Sequence, residues 1–511
     1  MSGLRPEARL ILLSLLGLAI LGVLAILFAT RNGIGLSTDS VVYIDSARRL
    51  VRGDGFTGGF TGHVGPITHW PPLYPSALAA LALLGLDPLV GARILALLLF
   101  GANVFVVGWL VWRHGSGGIL PALASSLLVL VSADLLEIHS WGWSEPLFLL
   151  LCALGLHHLA LYLAHPHRRR RLIAAAAFVG LAALTRYLGV TVIMAGGLAI
   201  LWLAPGRWLR RGVDALLFGV LSTVPLALWM LRNLLLSGTP TNRALVVNPI
   251  GLEQLLTAAR TVSAWLVPPI LPGSIRIVLL IAALAVMVVG VVRTPTVFRE
   301  VLQSPGSPLL KAILLFVTVY GAFLALFISL FDADVTFDAR LLSPVHFLLL
   351  LALGLVLASA GGAGRWMWIG VCVVALLQTV HAIAWVRAAE SGLGYAGRAW
   401  RESALWSVIE QLPEQTPLYS NAYDALYIHT GRPTRPLPSK FNPNSLVADD
   451  EYRERLASLR AELAQTGGLV IYSLPMGPWR PYMPTEAELE QGLAPFESRR
   501  FPDATLYQVS R

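Results

Sequence analysis

Three charged side chains stand at the edges of long apolar runs, and their types suggest chemistry. Asp39 follows the first apolar run in the segment "LSTDSVVYIDSARRL", residues 36–50. Arg186 interrupts an apolar stretch in "AALTRYLGVTV", and Arg340 begins another in "FDARLLSPV". A carboxylate can accept a proton from a hydroxyl, and a guanidinium matches phosphate oxygens with two parallel hydrogen bonds. Two such arginines would suit a lipid-linked phosphate.

Each of these positions could also have an ordinary structural role. Asp39 comes after Ser37 and Thr38, and a carboxylate at such a boundary often only caps a helix. An arginine near a lipid boundary, such as Arg186 or Arg340, can direct its charge toward water along its apolar stem. The sequence leaves these structural roles open beside the chemical ones.

Aromatic side chains accompany these charges in two polar segments. Tyr43 would share one face with Asp39, because residues i and i+4 are neighbours on a helix. The other aromatic candidates for substrate contact are His69, Trp70, Tyr74, His139 and Trp143. Such rings can stack on sugars, or they can form the aromatic belt that is usual at a membrane surface.

Acidic residues are rare in the apolar part of the chain, so those beside the second polar segment stand out. Glu137 and Glu145 flank "EIHSWGWSE", residues 137–145. Together with His139 they could bind a divalent cation, although their spacing matches neither HExxH nor DxD. The sequence therefore assigns no metal ligand set.

The composition indicates a membrane protein with many spans. Of 511 residues, 56% are hydrophobic and only 13% are charged, and apolar runs of about twenty residues recur. The first run, after Arg5 and Arg9, is too long for a signal peptide and lacks an A-x-A-like site, so it predicts an uncleaved span. Cys152 and Cys372 both lie in predicted spans, which excludes a disulfide framework and a cysteine zinc site.

Positive charge is concentrated in the apolar part of the chain. Residues 1–394 hold 26 Lys and Arg against 15 Asp and Glu, whereas residues 395–511 hold 12 against 14. This distribution follows the topology rules of membrane proteins, and no basic-aromatic motif for nucleic acid accompanies it. Nucleic acid is therefore not an expected partner.

Eleven apolar spans are predicted, so the expected fold is a mainly α-helical polytopic membrane protein. They cover residues 8–30, 88–112, 118–137, 145–164, 172–185, 188–204, 213–231, 275–292, 310–331, 341–358 and 366–386. The apolar segment 71–85 has about half the length of a full crossing. Counting it would place the arginine runs at 168–171 and 207–211 opposite Arg5 and Arg9, against the positive-inside rule. It is therefore predicted to dip into the outer leaflet or lie along it.

This topology predicts a multi-pass protein of the cytoplasmic (inner) membrane with its N-terminus in the cytoplasm. The outer face then receives the loop 31–87, the turn 137–145, the loop 232–274, the turn 331–340 and the C-terminal tail. Nearly all of the non-helical sequence lies on that face. Function is therefore expected there as well.

The tail predicts a small soluble α/β domain over residues 395–511, after a membrane domain over residues 1–390. "TPLYSN", "GGLVIYSLP" and "DATLYQVS" are typical of strands. "DDEYRERLASLRAELAQTGG" is typical of an amphipathic helix that ends at Gly467 and Gly468. An extracytoplasmic domain of this kind could bind an acceptor or cover a site.

Through most of residues 1–390 the chain resembles the GT-C superfamily of polyprenyl-phosphate-dependent glycosyltransferases, which includes the protein O-mannosyltransferases and the lipid A aminoarabinose transferase. The order of several motifs relative to the spans carries the resemblance. These motifs are "TDSVVYIDSARRLVRGDGF", "HWPPLYPSALAALALLG", "WSEPLFLLLCALG", "LAALTRYLGV", "RNLLLSGTPTNR" and "DARLLSP".

The resemblance implies roles for particular residues. Asp39 matches the family's catalytic carboxylate after the first span, and Glu145 resembles its second acidic position, with Glu137 as a competitor. Where protein O-mannosyltransferases have an Asp-Glu pair, this chain has Asp39 followed by Ser40, which argues against that identity. The implied donor is a polyprenyl-phosphate sugar, and the implied acceptor is a hydroxyl of a cell-envelope glycan, lipid or protein.

A polyprenyl phosphate is a good leaving group because its phosphate pKa is about 6, so it needs cations and no general acid. Asp39 would then activate the acceptor hydroxyl while Arg186 and Arg340 hold the donor phosphate, and the anomeric carbon would invert. The sequence assigns no cofactor, and a divalent metal stays an open expectation. Two alternative functions stay open, namely a transporter or flippase of a lipid-linked or anionic substrate and an inactive relative that serves as a scaffold.

Overall fold

A computed structural model describes residues 6–116, 118–241, 247, 249–293, 295–331, 336–359, 365–442 and 447–509. Over these residues, helices α1–α16 and one short hairpin, β1–β2, make up the chain as far as residue 389. They are α1 Pro6–Ala29, α2 Thr38–Arg52, β1 Thr57–Gly58, β2 Gly65–Pro66, α3 Leu73–Leu83, α4 Pro88–His114, α5 Ile119–Leu130, α6 Ala133–His139, α7 Glu145–Ala164, α8 Arg169–Thr185, α9 Val190–Leu203, α10 Trp208–Ser237, α11 Leu252–Ala264, α12 Gly273–Arg293, α13 Pro295–Gln303, α14 Ser307–Phe331, α15 Ala339–Ser359 and α16 Arg365–Ala389.

The predicted polytopic helical fold is confirmed. Among the described residues, eight helices are long and apolar enough to cross a membrane, and α5 with α6 forms a further candidate bent by 62°. The predicted spans 172–185 and 188–204 fall on α8 and α9, which have 17 and 14 residues. The segment 71–85, predicted to be too short for a crossing, contains the 11-residue helix α3.

The helices pack around a large apolar core. Close pairs include α1 with α4, α7 with α8, and α8 with α10. Large apolar side chains on the outer surfaces stay exposed, for example Leu209 and Leu216 on α10. Exposed apolar surface of this extent is uncommon on soluble proteins and is expected where helices face lipid.

The helical structure is interrupted between α8 and α9, and Arg186 lies at this interruption. Arg186 has extended backbone angles, and a single turn of 3-10 helix over Tyr187–Gly189 follows it. A Cβ atom at Gly189 would lie 2.4 Å from the Cα atom of Ala183, so the tight reversal requires glycine. An arginine at a helix break can leave the apolar surface of both helices.

The C-terminal region, residues 392–509, contains a five-stranded mixed sheet. Its strand order is β4-β3-β5-β7-β6, with β3 parallel to β4 and β5, and β7 antiparallel to β5 and β6. The elements of this region are α17 Arg398–Arg401, α18 Leu405–Gln411, β3 Leu418–Ser420, α19 Tyr423–Thr430, β4 Arg435–Pro436, α20 Tyr452–Thr466, β5 Leu469–Ser473, α21 Glu486–Leu493, β6 Phe496–Arg500 and β7 Ala504–Val509.

The three predicted strands and the predicted amphipathic helix of the tail are confirmed as β3, β5, β7 and α20. The helix ends at Gly467, which has φ +69°. The sheet region is not an isolated body, because residues of α18, α19 and β5 share one buried apolar cluster with residues of α2, α3 and α4. The division into a membrane domain and a separate soluble domain stays a prediction.

Candidate active site

Asp39 lies in the first turn of α2, and its carboxylate contacts two side chains. Trp70 Nε1 donates a hydrogen bond to Oδ1 at 2.9 Å, and Arg340 Nη2 donates to Oδ2 at 2.6 Å. Ser37 is the N-cap residue, and its backbone N–H donates to Ser40 Oγ at 3.2 Å. Asp39 therefore does not have the capping role that the sequence left open.

Arg340 joins this carboxylate to a second one. It lies in the first turn of α15, and its Nε donates to Glu145 Oε1. The guanidinium also lies 4.2 Å from the ring centre of Trp143, whose Nε1 donates to Ser37 Oγ at 2.8 Å. The ring of Trp143 therefore packs against the guanidinium group of Arg340. A cation–π contact of this kind stabilises by about 0.5–2 kcal/mol.

Glu145 is the acidic centre that holds the two arginines together. Its side chain is 1% exposed, and Oε1 accepts hydrogen bonds from both Arg186 Nη1 and Arg340 Nε. A buried carboxylate requires such partners, because an unpaired charge in an apolar interior is strongly unfavourable. The family resemblance implies a catalytic role for Glu145. In the structure its carboxylate is paired with Arg186 and Arg340, and its catalytic role stays a prediction.

A cavity of about 670 Å³ opens beside these groups. Six of the predicted site residues line it, and they are Asp39, Tyr43, His69, Trp70, Arg186 and Arg340. Another part of its lining is apolar and comes from α10 and α14, through Leu226, Met230, Phe323, Leu324 and Phe327. The volume is within the range of small-molecule sites. One cavity thus combines a carboxylate, two guanidinium groups and an apolar wall.

Tyr43 occupies the position expected from helical spacing, one turn after Asp39. Its hydroxyl lies 3.3 Å from Ser144 Oγ, and its ring packs edge-on against Tyr74 at 5.1 Å between centres. Burial raises the pKa of Tyr43 well above its ordinary value, so its phenol stays neutral and can donate a hydrogen bond. Tyr74 is fully buried and supports Tyr43.

The charge state of Asp39 follows from opposing effects. Burial raises the pKa of the Asp39 carboxyl, but the charge of Arg340 and hydrogen bonds from Arg340 and Trp70 outweigh it and leave the pKa below its ordinary value. Arg186 acts in the same direction. Asp39 is therefore ionised at neutral pH and able to accept a proton.

Residues of α10 hold the loop that carries His69 and Trp70. Asn233 is fully buried, and its Nδ2 donates to the Thr68 carbonyl at 3.0 Å. Arg232 donates to the carbonyls of Ile67 and Phe56 at 2.9 and 3.0 Å. Since these bonds fix the backbone directly before His69, they explain how a long loop can present ordered rings to the cavity.

Four predicted substrate contacts are not among the described residues that line the cavity, and they are Tyr74, Trp143, His139 and Glu137. His139 is fully buried, with Nε2 2.9 Å from Asn103 Nδ2 and Nδ1 2.7 Å from the Leu135 carbonyl. Its ring nitrogens are thus engaged within the helix core, which corrects the prediction that it contacts substrate. Glu137 is half-buried on α6 and is not among the described residues that line the cavity.

A cation site of His139, Glu137 and Glu145, which the sequence left open, does not form among the described residues. His139 is engaged by neutral partners, and Glu145 binds two arginines. Over the described ranges, no group of three or more His, Cys, Asp or Glu side chains has the proximity to hold a metal ion. These three residues therefore do not fit a metal ion.

The cavity also includes polar residues outside the predicted site set. They are Thr185, Tyr187, Thr241, Thr336 and Asp338. Tyr187 directly follows Arg186, and Asp338 precedes Arg340 by two residues. Proximity in sequence to a candidate arginine was therefore the available signal for both.

Comparison by sequence finds nothing similar, since no protein-family model and no curated protein sequence matches the chain. Comparison by fold finds similar solved structures. ArnT from Cupriavidus metallidurans bound to undecaprenyl phosphate aligns with a TM-score of 0.60 and 12% identity, over 96% of this chain and 97% of that chain. The apo state of the same protein gives 0.58 and 13% over the same shares.

An archaeal structure extends the likeness. The oligosaccharyltransferase of Archaeoglobus fulgidus in the apo form aligns with a TM-score of 0.51 and 12% identity, over 98% of this chain and 74% of that chain. This chain has the GT-C fold. The resemblance expected from the sequence is confirmed for the fold, and the activity depends on the site, because one fold can carry many functions.

Proposed function

We propose that this protein is a membrane glycosyltransferase that moves a sugar from a polyprenyl-phosphate donor to a hydroxyl of a cell-envelope acceptor, with inversion at the anomeric carbon. One observation carries the proposal. Asp39, Arg186 and Arg340 line the same cavity, and the apolar side chains of α10 and α14 line another part of it. A base, a phosphate site and an isoprenoid site are the three features that this reaction needs.

The arginines form the phosphate site. A guanidinium carries five N–H donors in a rigid fork. Arg340 uses two of them on Glu145 and Asp39, and Arg186 bonds Glu145 and Ser144 through Nη1. The remaining donors on both groups serve the donor phosphate. ArnT, which shares the fold, was crystallised with undecaprenyl phosphate, and this supports a lipid of the same class here.

The transfer step is a single displacement. The acceptor O–H donates its proton to Asp39, and its oxygen attacks the anomeric carbon as the bond from that carbon to the phosphate oxygen breaks. The electron pair of the broken bond stays on the polyprenyl phosphate, where Arg186 and Arg340 stabilise the added charge. Asp39 retains lone pairs for this proton, because a carboxylate accepts about four hydrogen bonds and the described contacts occupy two.

Arg340 links binding of the donor phosphate to the basicity of Asp39. In the structure its Nη2 bonds Asp39, and a bound phosphate would compete for the same guanidinium. Any weakening of the Arg340–Asp39 contact raises the pKa of Asp39 toward its ordinary value, since that contact lowers it. Asp39 would then be a stronger base when the donor is present than when the site is empty.

The membrane setting completes the proposal. The site is at one end of the helix bundle, beside the loops that topology rules assign to the outer face of the cytoplasmic membrane. Helix α3 ends at the exposed Leu83 and is followed by the exposed Leu84. It would lie at the bilayer surface next to the point where the isoprenoid enters. The acceptor would reach Asp39 from the aqueous side.

Purified protein in proteoliposomes provides the test. Labelled polyprenyl-phosphate sugars are offered with a cell-envelope extract, and label in the acceptor fraction is measured for wild type and for an equally expressed Asp39→Asn variant. We expect transfer by wild type and at least a hundredfold slower transfer by the variant. Equal transfer by both proteins would remove Asp39 as the base. Movement of labelled lipid across the bilayer without any transfer would favour a transporter instead.

A further inference from the structure

The C-terminal region contains a buried ion pair that reaches the segment bearing Asp39. Arg480 and Asp424 have side chains that are 5% and 0% exposed, and Arg480 Nη2 donates to Asp424 Oδ2 at 2.6 Å. Asp424 Oδ2 also accepts from the hydroxyl of Tyr395 at 2.8 Å. Burying two charges is unfavourable unless their geometry and hydrogen bonds are nearly complete, so such a pair defines one arrangement sharply.

The same pair holds Thr38, the residue directly before Asp39. Thr38 Oγ1 donates to Asp424 Oδ2 at 2.7 Å and lies 3.1 Å from Arg480 Nη2. Arg480 is anchored in turn to the C-terminal sheet region, since its Nη1 donates to the Asn421 carbonyl at 2.6 Å. A chain of contacts therefore runs from the C-terminal region to the backbone of Asp39.

Backbone contacts hold the preceding residues against the same region. The Tyr395 N–H donates to the Leu36 carbonyl at 2.9 Å, and Leu36 N–H donates to the Leu393 carbonyl at 3.3 Å. Gly394 has φ +55°, and a Cβ atom there would lie 2.1 Å from the Leu36 oxygen. The approach between the two segments is thus as close as backbone atoms permit.

We propose that Thr38, Asp424 and Arg480 are positioning residues for the transfer reaction. Through them the C-terminal region fixes the start of α2, so that Asp39 meets Trp70 and Arg340 in the geometry of a base beside the donor. None of the three is among the described residues that line the cavity. The inference rests on the proposed function, and it assigns the C-terminal region a part in catalysis as well as in stability.

The effect on the reaction would come from the placement of Asp39. A general base must lie within hydrogen-bonding distance of the proton it accepts, and a displacement of about 1 Å from a distant change can slow a reaction roughly a hundredfold. Thr38 is one peptide unit from Asp39. Loss of its hydroxyl contact would leave Asp39 chemically intact but less firmly oriented.

A matched pair of variants tests the proposal in the full-length protein. Thr38→Val preserves the shape and removes the hydroxyl, whereas Thr38→Ser retains the hydroxyl. We expect Thr38→Val to lower kcat by about tenfold to a hundredfold with KM for the donor little changed, and Thr38→Ser to stay near wild type. We also expect the acid limb of the kcat profile to move to higher pH in Thr38→Val, because Asp39 loses contacts that lower its pKa. Unchanged kcat and pH profile in a folded Thr38→Val protein would overturn the proposal.

A second readout does not depend on transfer. The infrared carboxyl band of Asp39, assigned by subtracting spectra of Asp39→Asn, reports its titration in the resting protein. We expect Thr38→Val to titrate at higher pH than wild type and Thr38→Ser. If wild type transfers no sugar, the proposed function fails while this comparison still decides the positioning role. Identical titration in all three proteins would contradict that role, even if the variants differ in thermal stability.

Discussion

Two buried carboxylates in this molecule each pair with two arginines, and only one of them adjoins a cavity with reactive groups. Glu145 binds Arg186 and Arg340. Asp214, which is 0% exposed, pairs with Arg169 at 3.1 Å and with Arg210 at 3.7 Å and accepts a hydrogen bond from Tyr162 at 2.7 Å. The two clusters are alike in composition and differ in surroundings.

The distance between the two clusters can be judged along helix α10. Asp214 lies near its start, and Asn233, which holds the loop of His69 and Trp70, lies near its end. At 1.5 Å per residue, these positions are about 28 Å apart along the axis. The clusters are therefore at opposite ends of the bundle.

The surroundings explain why one cluster is a candidate site. Arg169 and Arg210 are 56% and 38% exposed, so they neutralise Asp214 at the bundle surface. Arg186 and Arg340 instead line a cavity with a second carboxylate, Asp39, and an apolar wall. A buried acid with two arginines is thus a structural unit in itself, and the cavity and the second carboxylate make it suited to catalysis.

The largest expected effect separates the clusters by activity. Asp39→Asn should lower kcat by about a hundredfold to ten-thousandfold, because the amide cannot accept the proton, while the fold survives since the amide oxygen still accepts hydrogen bonds. Asp214→Asn should leave the activity per folded molecule near wild type. Initial rates and circular dichroism of both variants provide the check. A comparable loss of kcat in both would mean that the two clusters do not differ in function.

The next effect concerns the two arginine-paired acids directly. Glu145→Gln removes the charge between Arg186 and Arg340, so the guanidinium groups repel each other and no longer form one phosphate site. We expect binding of undecaprenyl phosphate, measured by quenching of tryptophan fluorescence in nanodiscs, to weaken at least tenfold. Asp214→Asn serves as the matched control and should bind with unchanged affinity, although both variants should melt at lower temperature.

A smaller effect tests the apolar wall. Met230→Gln places an amide in the cavity wall and should raise KM about threefold to tenfold for a donor with a long isoprenoid chain. The KM for a short-chain, water-soluble donor should hardly change. Met194→Gln on α9 is the control, because Met194 is exposed and is not among the described residues that line the cavity. Equal effects on both donors would contradict an isoprenoid site on α10.

The smallest effect compares two hydrogen bonds from neutral donors to carboxylates, from Trp70 to Asp39 and from Tyr162 to Asp214. Trp70→Phe removes a bond to the charged form of Asp39, so the pKa of Asp39 rises and the acid limb of kcat/KM moves to higher pH. The rate at neutral pH should fall less than about fivefold, because Asp39 stays ionised there. Tyr162→Phe removes the corresponding bond to Asp214 and should leave the pH profile unchanged. A shift of the acid limb in Tyr162→Phe would contradict the expectation that the Asp214 cluster takes no part in the reaction.

Much of the helical architecture follows from local sequence. Each of the eleven predicted spans overlaps helix in the described residues, because a long apolar run has few other ways to satisfy its backbone in lipid. Eight of these helices, or nine candidates with the bent pair α5 and α6, are long and apolar enough to cross a membrane, so the number eleven stays a prediction. The same pattern indicates Asp39, Arg186 and Arg340, since polar residues at span ends are few and must meet at the bundle surface. Their common cavity confirms that they converge.

The roles of several residues depended on partners that no local pattern reveals. Glu145 and Arg340 are 195 positions apart, and His139 pairs with Asn103 across two helices. An acid or a histidine in a polar turn has the same local signature whether it faces a cavity or the core. The sequence therefore indicated Glu145 and His139 as residues of the reaction site, and the packing pairs the first with two arginines and buries the second in the helix core.

The sequence by itself determined the apolar helices, the end of the bundle at which polar groups gather, and the residue types that suit transfer from a lipid phosphate. These properties follow from apolar length and from chemistry at single positions. Only the tertiary structure decided that Glu145 binds both arginines, that α10 and α14 supply the apolar wall, and that Arg480 reaches Thr38 across 442 positions. Such contacts arise from the packing of distant segments, which depends on the shape of the whole fold.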